Sequence, residues 1–363
     1  MNRRHFLYTL SSAPLLAQAP TTPATPEVDW VDARKLTVEG LGFKDVKSPY
    51  DRLPGRAEGV VPPNVWNLSR NSAGALVRFT AATTEIHARW TVANQNLASA
   101  NITAIASSGL DLYAKTDAGK WRWLGMGQPK FPETTAALIT GIPSTTREFM
   151  VYLPLRNDVT SLEFGVPKGA TIKAGPARAA GSKSIVFYGT SITHGIGASR
   201  SGMTHVAMLG RTFNREVINL GFSGNGRMEP EVLKFVSELD PAVFVLDCLP
   251  NMNAKQVAER TVPGVKLLRE AHPNTPILLV EDRNTQSGFL VEARRKANET
   301  NHAALREAFA ALQEEKIARL YYLEGANLLG DDGEGTVDGS HPTDLGFMRQ
   351  AAEFERVLRP ALN

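Results

Sequence analysis

The 363-residue chain has a single cysteine, Cys248. One thiol excludes a disulfide within the chain and leaves no basis for a cysteine-built metal site. Cys248 follows an apolar run and reads as a small buried residue rather than a reactive thiol. An excess of one charge sign is also missing. The chain carries 40 Lys+Arg against 37 Asp+Glu, a formal net charge of +3. Arg3 and Arg4 supply two of those charges, and without them the balance is +1. Nucleic acid and anionic membrane surfaces demand clustered basic residues, and none are found. No stretch beyond the N-terminus approaches the ~18 apolar residues of a membrane span. With 42% hydrophobic and 21% charged residues, the composition is that of a globular protein rather than a disordered one. No metal or other cofactor is called for.

Residues 1–20, MNRRHFLYTLSSAPLLAQAP, read as an export signal. Arg3 and Arg4 form a basic start, Phe6 to Leu16 is mostly apolar, and Ala17-Gln18-Ala19 fits a small-residue cleavage site. The order Arg3-Arg4-His5-Phe6-Leu7 resembles a twin-arginine signal. The expectation is a signal peptide over 1–19, a Pro/Thr-containing linker over 20–29 and a periplasmic or secreted protein. The alternative is a disordered tail that is retained.

At this length two domains are comfortable. From about Trp30 to Gly175 short alternating runs are broken by turn residues: Leu76-Val77-Arg78-Phe79, Glu85 to Val92 and Phe149 to Leu153. Leu110 to Trp123 reads as a hairpin turning at Asp117-Ala118-Gly119. Helical periodicity is absent, so an all-β sandwich is expected over 30–176. Over 182–363 the rhythm changes. Five continuous apolar runs (185–188, 217–220, 243–246, 277–280 and 320–323) are separated by helical candidates over 203–215, 230–239, 255–271 and 303–315. A last helix over 345–358 follows. That alternation predicts a parallel sheet covered on both faces, with ligands bound beyond the carboxyl ends of its strands.

Each unusual polar cluster in this half falls just after one of those strands. Gly189-Thr190-Ser191-Ile192-Thr193-His194-Gly195 follows the first; a serine here either projects a nucleophilic hydroxyl or caps a turn. Gly221-Phe222-Ser223-Gly224-Asn225-Gly226 follows the second and can aim backbone N–H groups at an anion. Phosphate is the competing ligand, but no Walker Lys–Ser/Thr pair follows and the spacing is not the dinucleotide fingerprint. Asn251, after the third strand, either donates its amide to an oxyanion or stabilises a turn. The sharpest signal is Asp338-Gly339-Ser340-His341-Pro342. An aspartate three residues before a histidine in a Gly-containing turn can orient the imidazole while it deprotonates a serine.

Together these four blocks resemble the SGNH (GDSL-like) hydrolase pattern in chain order, over about Ser184 to Leu362. GTSITHG is similar to the nucleophile block, Ser223-Gly224 to the block with the oxyanion glycine, Asn251 to the third block's asparagine, and DGSHP to the acid–base block. Gly109-Leu110-Asp111-Leu112-Tyr113 matches the GxDLY signature of a β-domain that precedes one bacterial branch of these esterases. Thr190 departs from the GDS aspartate, and Pro250-Asn251-Met252 from Gly-x-Asn-Asp. The resemblance implies a three-layer, flavodoxin-like α/β/α domain after the sandwich. It also implies a Ser191–His341–Asp338 triad and an oxyanion hole of Ser191, Gly224 and Asn251.

The activity so implied is hydrolysis of small acyl esters, acetyl first, on carbohydrate. A lysophospholipase or short-chain lipase is the alternative. A silent glycan-binding module using Trp90, Trp121 and Trp123 is another, against the bland reading of those tryptophans as core and inter-domain packing. His194, Arg200 and Arg283, each near the expected site, are candidate substrate contacts, with solvated surface roles as the competing reading for the two arginines.

Overall fold

The computed structural model describes residues 27–362; the expected signal peptide and most of the expected linker lie outside them. The first half comprises β1 (Val28–Asp32), β2 (Thr37–Glu39), α1 (Pro63–Ser69), β3 (Leu76–Ala82), β4 (Glu85–Val92) and α2 (Ala104–Ser108). It continues with β5 (Leu110–Lys115), β6 (Trp121–Gly127), β7 (Glu133–Thr140), β8 (Thr146–Tyr152), β9 (Val159–Pro167) and β10 (Thr171–Ala174). All its pairings are antiparallel. One sheet runs β1-β9-β4-β7 and the other β10-β3-β8-β5-β6, with β2 on β3. The alternation in β4 does what its period dictates: Ile86, Ala88, Trp90 and Val92 point inward and their neighbours do not. They meet Phe79 and Phe149 of the facing sheet, with Phe164 from the neighbouring β9, in one core, which makes the expected sandwich. The β5–β6 hairpin turns at Gly119, whose φ of +76° suits a residue without Cβ.

The second half comprises β11 (Ile185–Gly189), α3 (Ser191–His194), α4 (His205–Phe213), β12 (Val217–Gly221), α5 (Pro230–Val236) and β13 (Val243–Asp247). Then come α6 (Ala254–Ala271), β14 (Ile277–Val280), α7 (Glu292–Glu314), β15 (Leu320–Leu323) and α8 (Asp344–Ala361). The sheet is parallel throughout, in the order β12-β11-β13-β14-β15. Numbered within this half, that is the flavodoxin-like 2-1-3-4-5 order, whose switch point lies between the first and third strands. Because both faces are covered, the strands are continuous apolar runs and successive residues go to opposite layers. Val186 and Tyr188 join Val232, Val257, Leu268 and Leu305 under α5, α6 and α7. Ile185 and Phe187 join Val206, Leu209, Phe354 and Leu358 under α4 and α8.

Two features differ from the expectation. Helix α7 starts at Glu292, eleven residues ahead of the expected Ala303. Its first turns, EARRKANETNH, carry no apolar stripe and bury only the polar Asn298 and His302. Exposed i,i+4 pairs Glu292–Lys296 and Arg295–Glu299 line them instead. Secondly, the stretch between β2 and β3 gives only Tyr50 and Ala75 of its buried apolar residues to the sandwich core. Phe43, Leu53, Val61, Val65 and Trp66 are buried against Ile218, Leu220, Phe222 and Leu239 of the second half.

Several ties bind the halves. Fully buried Arg52 donates to the carbonyls of Asn219 (3.1 Å) and Gly221 (2.7 Å). Asp111 of the GLDLY motif is fully buried and accepts from Gly202 N (2.8 Å) and Arg200 Nη1 (3.0 Å), while Trp123 Nε1 donates to its other oxygen at 2.9 Å.

Candidate active site

Three loops at the carboxyl ends of β11, β12 and β13 meet because glycine lets them. A Cβ on Gly189 would lie 2.2 Å from Thr193 Oγ1 and 2.7 Å from the Asp247 carbonyl. Gly226 adopts φ +72°, and a Cβ there would lie 1.9 Å from the Gly189 carbonyl oxygen. Side chains at either position would force the loops apart.

Thr190, which stands where the GDS form has aspartate, caps the single turn α3 through its Oγ1, which accepts from Ile192 N. Ser191 opens that turn, so its N–H is among those that no intrahelical carbonyl can take up. Thr193 Oγ1 donates to Asp247 Oδ2 at 2.9 Å, tying the turn to the end of β13.

The loop between β15 and α8 delivers the partners. Asp338 Oδ1 accepts from the backbone N–H of Ser340 (3.1 Å) and His341 (2.8 Å), with Gly339, next after Asp338, at φ +85°. Asp338 Oδ2 lies 2.8 Å from His341 Nδ1, and Ser191 Oγ lies 2.8 Å from His341 Nε2. An ionised carboxylate only accepts, so Nδ1 carries the proton and Nε2 is left as the acceptor facing the serine hydroxyl. Burial pushes the Asp338 carboxyl up. Hydrogen bonds from Asn101 Nδ2 (3.0 Å), the His341 backbone and the His341 ring outweigh it and hold the group well below the usual carboxylate range.

Gly224 sits in the turn after β12 with φ +69° and open space where a side chain would project. Asn251 ends a 3-10 turn after β13, and its Nδ2 donates to the Asn225 carbonyl. This bond holds its amide beside the Gly224–Asn225 turn.

The three candidate substrate contacts have their polar heads committed to other partners. His194 is fully buried; its ring bonds the Leu155 carbonyl through Nε2 (2.5 Å) and the Ser223 hydroxyl through Nδ1 (3.2 Å). Burial, then the Arg52 and Arg156 charges, hold it well below the usual histidine range, so it is a neutral strut. Arg283, after β14, lies in the wall of a hollow beside the acid–base loop but is buried, with its head paired to Asp247 (Nη2–Oδ2 2.9 Å) and Gln350 (Nε–Oε1 2.9 Å). Arg200 is committed to Asp111 and stacks over the Trp123 ring at 5.2 Å, an inter-domain clamp. Position after a strand end does not say which way a side chain points. Trp90 is core, with its Nε1 on the Ser108 carbonyl. Cys248 is buried, and burial pushes its thiol well up.

Asn101 belongs to no motif. It sits in the polar run NQNLASANIT between β4 and α2, where nothing in residue type or spacing marks it.

The profile of the GDSL-like Lipase/Acylhydrolase family matches residues 182–359, and that of the N-terminus of Esterase_SGNH_hydro-type proteins matches 28–172. Comparison with curated proteins finds no match. Among solved structures, one described as a GDSL-like lipase from Bacteroides ovatus is 36% identical, with TM-score 0.88, covering 93% of this chain and 98% of its own. The salicylyl-acyltransferase SsfX3 of a tetracycline biosynthetic pathway is 17% identical at TM-score 0.72, covering 92% and 97%. A family two carbohydrate esterase from Cellvibrio japonicus is 13% identical at TM-score 0.60, covering 93% and 99%. These last two show likeness of fold alone.

Proposed function

The chain belongs to the GDSL-like lipase/acylhydrolase family of ester-hydrolysing enzymes, and from that premise we propose that it is an exported serine esterase removing small acyl groups, acetyl foremost, from carbohydrate. The 2.8 Å contact between Ser191 Oγ and His341 Nε2, across 150 residues of chain, is the observation that carries this reading.

Ser191 Oγ attacks the ester carbonyl carbon as its proton passes to His341 Nε2. Asp338 holds the imidazole in the productive tautomer and faces the imidazolium with a full negative charge. The oxyanion is met by the Ser191 and Gly224 N–H groups and the Asn251 amide; losing one such donor typically costs roughly 2.7–4 kcal/mol of transition-state stabilisation. Collapse breaks the bond to the alcohol oxygen, which takes the proton from His341. Water then repeats the sequence on the acyl-enzyme and regenerates Ser191.

A hydroxyl-rich alcohol is favoured by the hollow of about 360 Å³ flanking the acid–base loop, lined by Asp338, Gly339, Ser340, Asn284, Thr285 and Arg294. The apolar cavity between the halves, beside Leu76, Met150 and Leu155, is about 20 Å³. That is room for about one water, not for an acyl chain. Export rests on Arg3-Arg4 and Ala17-Gln18-Ala19. Phe289 and Leu290, both 79% exposed on the turn before α7, favour a second reading, a lipid-borne ester. Preference for lysophospholipid over acetylated xylan in a release assay would select it.

Ser191→Ala tests the mechanism on p-nitrophenyl acetate. Loss of kcat by roughly 10⁶-fold with an unchanged circular dichroism spectrum is expected, and retained turnover would refute the assignment.

A further inference from the structure

The triad's acid has a partner from the other half of the molecule. Asn101 Nδ2 donates to Asp338 Oδ2 at 3.0 Å, on the same oxygen that faces His341, and lies 3.4 Å from His341 Nδ1. Both nitrogens are donors, so that second contact is a crowding of like dipoles and not a bond.

The amide is held for this orientation. Ser99 and Ile102 exchange backbone hydrogen bonds at 3.2 Å in a tight loop. The Ser99 hydroxyl donates to Asn101 Oδ1 at 3.3 Å, which turns Nδ2 toward the carboxylate. Ile102 is buried in a cluster with Ile192, inside the Ser191 turn, and Ile196, just after it, and Thr103 Oγ1 donates to the Ser199 carbonyl at 2.7 Å. One short strap of the sandwich therefore touches the nucleophile's turn and the acid together.

Resting on the triad reading above, we infer that Asn101 is a positioning residue of the esterase, supplied by the sandwich to hold Asp338 and limit its pull on His341. The amide spreads the carboxylate's charge away from the imidazole, and its dipole opposes a proton gained there. Removing it leaves Asp338 freer to rotate and strengthens its hold on an imidazolium. Activity falls through orientation, and the pH at which His341 titrates rises.

The test follows His341 by ¹⁵N-histidine NMR in the full-length protein, assigned with His341→Gln, beside kcat and KM for p-nitrophenyl acetate against pH. Asn101→Ala is expected to lower kcat by about 10- to 100-fold, the loss of a hydrogen bond to a charged group, with KM little changed. The acidic limb and the NMR titration should move up together. Asn101→Leu keeps the bulk with neither the donor nor a new charge, so it should move His341 in the same direction. It also stands in should the alanine variant fail to fold. A purely steric role would leave the isosteric variant like wild type, and that result overturns the inference. So does an unmoved titration in both variants. Absence of ester hydrolysis in wild type would sink the functional reading instead, while the titration still decides the role of Asn101.

Discussion

Asp111→Ala should separate the two halves' interests most clearly. Its carboxylate is fully buried and takes three donors: Gly202 N, Arg200 Nη1 and Trp123 Nε1, at 2.8, 3.0 and 2.9 Å. Truncation strands all three. Breaking a buried ion pair by removing one partner costs about 3–5 kcal/mol. Two facts pull the figure toward the lower end. The Arg200 side chain keeps 21% of its surface in water and can find a partner there. Burial also outweighs Arg200 at Asp111, raising its carboxyl above the usual range, so part of the attraction already offsets desolvation. We expect a loss of about 3 kcal/mol, or about 4 °C in Tm for a chain of this length. Guanidinium unfolding followed by tryptophan fluorescence measures it. Asp111→Asn, which keeps one acceptor oxygen, should lose less. Turnover of p-nitrophenyl acetate by the folded fraction should change little, since Asp111 touches no member of the triad. A loss below about 1 kcal/mol in the alanine variant would mean that desolvating the carboxylate cancels its bonds, and the clamp argument would fail.

Asp338→Asn would point an amide N–H at either His341 Nδ1 or the backbone N–H groups of Ser340 and His341. The imidazole then favours the wrong tautomer, and kcat should fall by roughly 10⁴-fold; activity within tenfold of wild type is the contrary result. Stability should also depend on pH. His194 and His205 are fully buried with titrations pushed well down, burial being the larger cause in each. In the unfolded chain both take up protons below about pH 6.5, so stability present above that value is lost as pH falls toward their folded pKa values. The slope is about 1.4 kcal/mol per pH unit for each. His205 stacks on Phe347 and lies beside Phe354, with no hydrogen-bond partner on either nitrogen among the described residues. Replacing it by Phe should therefore lower the slope by about 1.4 kcal/mol per pH unit. Melting curves at pH 7.5, 6.5 and 5.5 decide this, an unchanged slope counting against it.

Much of the site is legible in the chain because its chemistry is tied to strand ends. Continuous apolar runs identify the parallel sheet, and Ser191, Gly224, Asn251 and the Asp338–His341 block each follow one of its strands. What the sequence hides is direction and partnership. His194, Arg200 and Arg283 stand close to these blocks in the chain, yet their side chains are spent on Leu155, Asp111 and Asp247. Asn101 is illegible for the converse reason: its partner lies 237 residues away, and an asparagine in a polar loop has many ordinary explanations. The start of α7 escapes because its stabilising pairs are ionic and carry no apolar period.

The stretch from Phe43 to Trp66 sets a limit on how this molecule can be divided. It is written in the first half of the gene and, Tyr50 apart, spent in the core of the second, so two recognisable sequence units do not make two interchangeable parts. A fragment starting at Ser182 would bare Leu220, Phe222 and Leu239 to water. A protease nicking the exposed chain near Gly181 would sever the backbone and still leave the pieces clasped. Any grafting of this catalytic half onto a different partner has to carry that borrowed stretch along.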